Sequence, residues 1–223
     1  MTLGVLGGTF DPIHNGHLAA GLRAQAALGL AQVLVVPSRI PPHRSTGASP
    51  QDRLAMASLA AAQQRGWTAS DIELKREGLS YTFDTLTALR ATLTQQFFFI
   101  IGADAFAEIA TWSRYPAVLD LAHFAVVARP GITLDSLQKR LPDLAERMTT
   151  PDLFKPPTYA KASAGKQSSS VRPAIILIQA ETPDLSSTTI RRRVRAGESI
   201  SELVPASVAS YISTHHLYVG TNL

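Results

Sequence analysis

Short apolar runs alternate along the chain with longer stretches whose alanines and leucines recur at helical spacing. The runs are TLGVLG (2–7), QVLVV (32–36), a weaker TASDIEL (68–74), FFFII (97–101), FAVVA (124–128) and AIILI (174–178). Helix candidates lie between most of them, at 16–28, 50–63, 82–93 and 103–110. Strand-length apolar runs alternating with amphipathic helices predict βαβ units, and so an α/β fold with a parallel sheet covered by helices on both faces. Sheets of this kind bind ligands beyond the carboxyl ends of their strands, where the strand order reverses.

One segment breaks the pattern. Residues 149–172 read TTPDLFKPPTYAKASAGKQSSSVR, rich in Pro, Ser, Ala and Lys and without apolar period. This predicts an exposed, flexible insertion within a single domain spanning 1–223, because too little chain follows it to build a second core.

Composition narrows the chemistry. With 223 residues, 45% of them hydrophobic, the chain can bury a sizeable core. The absence of cysteine excludes disulfides, thiolate catalysis and cysteine-based metal sites. The start, MTLGVLGGTFD, has no basic leader and no apolar run has the length of a membrane span, so a soluble, cytoplasmic protein without membrane partners is expected. The net charge of +4 and the cluster RRRVR at 191–195 suit an anionic partner. They do not separate a nucleic acid from a phosphorylated small molecule, and for any one of these arginines a solvated helix face is the ordinary explanation.

The most informative string follows the first apolar run: GGTFDPIHNGH, residues 7–17. Gly7 and Gly8 are expected to turn the backbone sharply and to let a ligand approach the main chain. The helix that follows would offer unpaired N–H groups, a seat for phosphate. His14 and His17, three residues apart, would share one face of its first turn. The dinucleotide fingerprint G-x-G-x-x-G fails on spacing, since the chain has Gly4, Gly7 and Gly8. A P-loop fails too, because Gly165-Lys166 lacks the upstream glycine and is followed by Gln167. A zinc site would need a third ligand beyond the two histidines, so none is assigned.

The string GGTFDPIHNGHL resembles the HxGH nucleotidyltransferase superfamily and, within it, the bacterial nicotinate-nucleotide adenylyltransferases. The likeness continues in order through PPHR (41–44), EGLSYTFDTL (77–86), FIIGAD (99–104) with Trp112 behind it, VVARPG (126–131) and LSSTTIR (185–191). It implies a Rossmann-like, doubly wound sheet of nucleotidyltransferase type. The implied reaction is adenylyl transfer from ATP to nicotinate mononucleotide, giving nicotinate adenine dinucleotide and pyrophosphate in NAD biosynthesis. The acceptor phosphate has a second pKa near 6 and is largely dianionic at neutral pH, so no general base is needed. Positioning and neutralisation of charge carry the catalysis.

The resemblance implies residue roles. Gly8, Thr9, Phe10, Gly102 and Asp104 would hold the ATP nucleoside, Asp104 through a ribose hydroxyl. His14 and His17 would contact the phosphates, His17 as an electrostatic donor rather than a proton acceptor. Ser187, Thr188 and Arg191 would grip the β and γ phosphates, leaving Arg192, Arg193 and Arg195 as surface charge. Arg44, standing where the family usually has lysine, would meet the acceptor phosphate. Tyr81 and Thr82 would present helix amides to the pyridine carboxylate, Trp112 a flat face to the ring, and Arg129 would lie beside the mononucleotide. Taken singly, Trp112 also reads as core and Asp104 as a helix cap. Magnesium is expected with ATP, without a protein cage of its own. Nucleic acid is not an expected partner, since no aromatic residues interleave the arginines; a homo-oligomer stays open. The rival readings are an adenylyltransferase for nicotinamide mononucleotide or phosphopantetheine, and a non-catalytic nucleotide-binding protein.

Overall fold

The computed structural model describes residues 2–93, 97–128, 132–154 and 172–220. Seven strands make one sheet: β1 (Leu3–Gly8), β2 (Gln32–Pro37), β3 (Trp67–Ala69), β4 (Phe97–Gly102), β5 (His123–Ala128), β6 (Met148–Thr149) and β7 (Ile175–Gln179). Their order is β3-β2-β1-β4-β5-β7-β6 and every pairing is parallel. The helices are α1 (Asn15–Leu28), α2 (Pro50–Ala61), α3 (Thr82–Thr92), α4 (Ala103–Phe106), α5 (Leu134–Arg140), α6 (Ser187–Arg195) and α7 (Ala206–Thr214). The chain winds outward from β1 through β2 to β3, then crosses back to lay β4 on the other side of β1. That reversal opens a crevice beyond Gly8 and Gly102, the last residues of β1 and β4.

Strand residues alternate between two cores. Leu6, Val33, Val35, Ile100, Ala125 and Ile176 face α1, α2 and α7, while Val5, Phe99, Val126 and Leu177 face the layer containing Leu86, Leu89 and Phe106. Each fully buried large apolar side chain contributes about 1.5–3 kcal/mol, which is why strands covered on both faces read as continuous apolar runs.

Several elements differ from the sequence expectation, among them the helix expected at 103–110, which is the single turn α4. The run at 68–74 contributes only a three-residue edge strand. Beyond it Ser70 N–H closes on the Val35 carbonyl at 2.8 Å, and Glu73 turns inward to accept the Thr85 hydroxyl at 2.6 Å. Helices α5 and α7, unmarked in the pattern, complete the layers. Thr149, expected to open the insertion, belongs to the sheet instead, because Met148 and Thr149 pair with Ile175 and Ile176. The Phe154 ring packs edge-on against Phe98 and His123, with centroids 5.8 and 5.2 Å apart. The remainder of the expected insertion, residues 155–171, lies outside the described residues.

His123 opens β5 and is buried; its Nδ1 accepts the Ala174 N–H at 2.9 Å. Burial, with a smaller push from Arg147, lowers its pKa to about 4. The unfolded chain binds this proton near pH 6.5 and the fold does not. The stability tied to neutral His123 is therefore complete above about 6.5 and lost as pH falls towards about 4. Urea denaturation at pH 7 and 4.5 should show this fall, and His123→Gln should flatten it; an equal fall in the variant would refute the assignment.

Candidate active site

The link from β1 to α1 carries the densest chemistry. The expectation that Gly7 and Gly8 make the turn is corrected by the backbone: both belong to β1, and the turn is made at Phe10, with φ 52°. A left-handed φ at a phenylalanine costs on the order of 1 kcal/mol and persists only when the surroundings impose it. The glycines instead give clearance. A Cβ on Gly7 would come within 2.8 Å of the Phe99 ring, and one on Gly8 within 2.8 Å of the Phe10 ring.

A buried arginine that the motif reading overlooked holds this loop. Arg53 of α2 is 0% exposed and donates to the carbonyls of Thr9 (2.8 Å), Arg39 (2.9 Å), Ala48 (3.3 Å) and Ser38. Its trace in the sequence is positional: it occupies the apolar face of α2 with Met56, Ala57, Ala60 and Ala61. An arginine in such a row needs buried acceptors.

Next comes Asp11, also buried. Its carboxylate accepts the N–H groups of Gly47 (2.7 Å) and Ala48 (3.0 Å) and the hydroxyl of Tyr218 (2.8 Å). Arg191 Nη1 lies 3.4 Å from Asp11 Oδ2 and donates to the Asp11 carbonyl at 2.7 Å.

The two histidines meet as expected. His14 is the N-cap of α1 and His17 stands in its first turn, with ring centroids 3.7 Å apart and planes 25° from parallel. The His14 N–H donates to His17 Nδ1 at 3.2 Å. Burial, reinforced by His14, holds the His17 pKa well below the usual imidazole range. His17 is therefore neutral at pH 7 with Nδ1 accepting, which makes Nε2 its protonated, donating nitrogen. The Phe10 ring stands perpendicular to it, with centroids 5.1 Å apart. The helix amides are less free than expected. Asn15 N–H donates to the Leu203 carbonyl at 2.9 Å, so this amide is held by the protein.

Helix α6 latches onto the same loop. Ser186 caps it by accepting Thr189 N–H at 3.2 Å, and the Ser187 hydroxyl donates to the Pro12 carbonyl at 2.9 Å. Thr188 Oγ1 accepts from Arg191 Nη2 at 3.3 Å. The Arg191 side chain keeps 19% exposure, whereas Arg192, Arg193 and Arg195 are exposed. Thus Ser187 acts here as a tie between α6 and the loop, while Thr188 and Arg191 form the corner that faces solvent.

Across the crevice, Tyr81 is the N-cap of α3 and Thr82 its first residue, with no side-chain cap. The start of α3 is fixed from behind, where Thr85 donates to Glu73 at 2.6 Å and accepts from Arg76 Nη2 at 3.2 Å. The Ser80 hydroxyl accepts the N–H groups of Arg39 (2.8 Å) and Ile40 (3.2 Å). These supporting residues carried no recognisable spacing in the sequence. Trp112 is half-buried, its ring edge-on to Phe99 at 6.3 Å, which leaves part of it outside the core. Arg44, Gly102 and Asp104 are exposed, and Arg129 lies outside the described residues. Among the described residues no group of three or more His, Asp or Glu side chains is arranged to hold a metal ion. None of the described helices is long and apolar enough to cross a membrane.

Comparison with known proteins gives a consistent result. The model of the family described as cytidylyltransferase-like matches residues 5–193. A protein of Desulfatibacillum aliphaticivorans with the name "Probable nicotinate-nucleotide adenylyltransferase" is 40% identical, over 98% of this chain and 100% of its own. One of the same name from Aeromonas salmonicida is 41% identical, over 97% of this chain and 96% of its own. Among solved structures, the Plasmodium falciparum nicotinic acid mononucleotide adenylyltransferase complexed with NaAD superposes with a TM-score of 0.70, covering 97% of each chain. At 17% identity that likeness speaks to the fold.

Proposed function

We infer the reaction from kinship and site together: the chain belongs to the cytidylyltransferase-like family and, within it, to the nicotinate-nucleotide adenylyltransferases, and it transfers the adenylyl group of ATP to nicotinate mononucleotide. The products are nicotinate adenine dinucleotide and pyrophosphate, and the step belongs to NAD biosynthesis. The observation that carries the chemistry is the locked His17 ring, a neutral N–H donor in the first turn of α1, directly after the loop that Arg191 grips at Asp11.

In our reading, an oxygen of the acceptor phosphate dianion attacks the α-phosphorus of ATP. The bond to the bridging oxygen breaks, and pyrophosphate leaves with that electron pair. No proton has to be removed. Negative charge builds on the α-phosphate oxygens, and His17 Nε2–H, fixed before substrate arrives, donates to it. His14 supports His17 by stacking and by its backbone N–H. Thr188 and Arg191 would bind the β and γ phosphates, with Ser187 holding the start of α6 in place through Pro12. Gly8, Thr9 and Phe10 on one side and Gly102 and Asp104 on the other would bound the nucleoside. Magnesium carried on the ATP phosphates would supply positive charge beyond that of Arg191.

For the acceptor, the start of α3 at Thr82, which has no side-chain cap, suits a carboxylate, since N–H groups and the helix dipole both favour negative charge there; the Tyr81 N–H is already held by the Leu79 carbonyl at 3.1 Å. The open face of Trp112 suits the pyridine, and Arg44 and Arg129 suit the mononucleotide phosphate side. The substrates are thus small molecules; the arginines at 192, 193 and 195 are given no nucleic-acid role, and a cytoplasmic location accompanies the pathway. Measured with ATP, kcat/KM should favour nicotinate over nicotinamide mononucleotide by roughly ten- to hundredfold, the worth of charge-assisted hydrogen bonds to a carboxylate. Preference for the amide, or for phosphopantetheine, would overturn the acceptor assignment. ATP binding without pyrophosphate release would overturn the reaction.

A further inference from the structure

Tyr218 lies 207 residues from Asp11 in sequence, yet its hydroxyl reaches the Asp11 carboxylate at 2.8 Å. The side chain is buried, and its backbone sits at φ 62°, a left-handed conformation that a tyrosine adopts only when its surroundings hold it there. The ring lies against the loop before α2. A Cβ on Gly47 would come within 3.0 and 3.1 Å of Tyr218 ring carbons and within 3.2 Å of Arg191 Cδ. Tyr218, Gly47, Asp11 and Arg191 therefore pack as one knot.

The hydrogen bonds divide the Asp11 carboxylate in a definite way. Oδ1 accepts from Tyr218 and Ala48 N–H, while Oδ2 accepts from Gly47 N–H at 2.7 Å and faces Arg191 at the longer distance of 3.4 Å. Arg191 makes its closer contact, 2.7 Å, with the Asp11 main-chain carbonyl. With three donors already on it, the carboxylate orients the guanidinium without closing a tight ion pair. Removing one donor frees a lone pair on a buried anion, and the nearest cation is Arg191. A carboxylate drawn onto Arg191 competes directly with an incoming phosphate for the same N–H groups.

We propose that Tyr218 is a positioning residue for donor-substrate binding: through Asp11 it keeps Arg191 oriented but not neutralised, so that the guanidinium is available to the ATP phosphates. This rests on the reading of Arg191 as a phosphate ligand. Burial and the Asp11 carboxylate push the Tyr218 phenol pKa upward, so its hydroxyl stays a donor throughout the range in which the enzyme is assayed. The role is distinct from that of the motif residues, because the Tyr218 side chain is buried and its hydroxyl is spent on Asp11.

The test uses the full chain and an ATP analogue with a methylene bridge between the α and β phosphorus atoms, which binds without reacting. Tyr218→Phe should raise its Kd by about tenfold, equal to about 1.4 kcal/mol, while the KM for nicotinate mononucleotide stays within about twofold. A merely structural role would weaken both substrates together and would refute the proposal. Arg191→Ala should also weaken the analogue, and adding Tyr218→Phe to it should cost nothing more, because Tyr218 acts through Arg191. Additive losses, or an unchanged Kd in Tyr218→Phe when Arg191→Ala is impaired, overturn the inference alone. An unchanged Kd in Arg191→Ala overturns the phosphate-clamp reading itself. Should Tyr218→Phe fail to fold, Gly47→Ala, whose Cβ presses on both Tyr218 and Arg191, should give the same ATP-selective loss; no loss there refutes the proposal.

Discussion

His17→Ala should lower kcat by about a thousandfold while leaving the affinity for ATP nearly unchanged, because loss of one fixed donor to a developing oxyanion removes about 3–4 kcal/mol from the transition state and little from the ground state. The geometry makes the donor specific. With Nδ1 held by the His14 N–H at 3.2 Å and the ring kept neutral by burial and by His14, only Nε2–H remains to donate. A side chain that keeps an N–H near that place should recover part of the loss, so His17→Gln should turn over faster than His17→Ala. Pre-steady-state turnover together with binding of the unreactive ATP analogue separates the two quantities. Equal loss in binding and turnover would make His17 a ground-state ligand and defeat the electrostatic assignment.

Arg53→Met should destabilise the protein by about 3–5 kcal/mol, because four buried carbonyls lose their donor and each unsatisfied buried acceptor costs about 1–3 kcal/mol. The methionine fills most of the volume but leaves the carbonyls of Thr9, Ser38, Arg39 and Ala48 without their donor. Two of these carbonyls belong to the segment after β2 and one to the turn after β1, so the loss loosens the walls of the crevice as well as the fold. In thermal unfolding the midpoint should drop by roughly 10 °C. Arg53→Lys should rescue little, since a single ammonium cannot reproduce the fan of donors that the planar guanidinium directs. A drop of under about 2 °C in Arg53→Met would show that the four carbonyls find other donors.

Much of the site was legible because its chemistry is local. GGTFDPIHNGH places a cap, a first turn and two imidazoles within eleven consecutive residues, and helical geometry alone brings His14 against His17. LSSTTIR is likewise a self-contained helix start, with Ser186 as its cap. The assignment of the turn to Gly7 and Gly8 failed because glycine has two uses, torsional freedom and missing volume, and the sequence does not distinguish them. Phe99 and Phe10 decide it, and Phe99 comes from a neighbouring strand. The strand expected over 68–74 failed for a similar reason, leaving only the short edge strand at 67–69. Glu73 lies in the turn after β3, and the inward pull on it comes from Thr85, which lies on α3.

The chain by itself determined the layer architecture, since strand-length apolar runs alternating with helical stretches predict a parallel sheet covered by helices. It also determined the local geometry of the helix starts at His14–His17 and Ser186–Thr189, because capping and first-turn contacts depend on residues three or four apart. What the tertiary structure alone decided is how these pieces are held: Arg53 across four carbonyls, Ser187 on Pro12, and the knot of Asp11, Gly47, Arg191 and Tyr218. Those contacts join positions up to 207 residues apart, where no spacing rule operates. Only the folding of the sheet around its reversal between β1 and β4 brings them within hydrogen-bond distance.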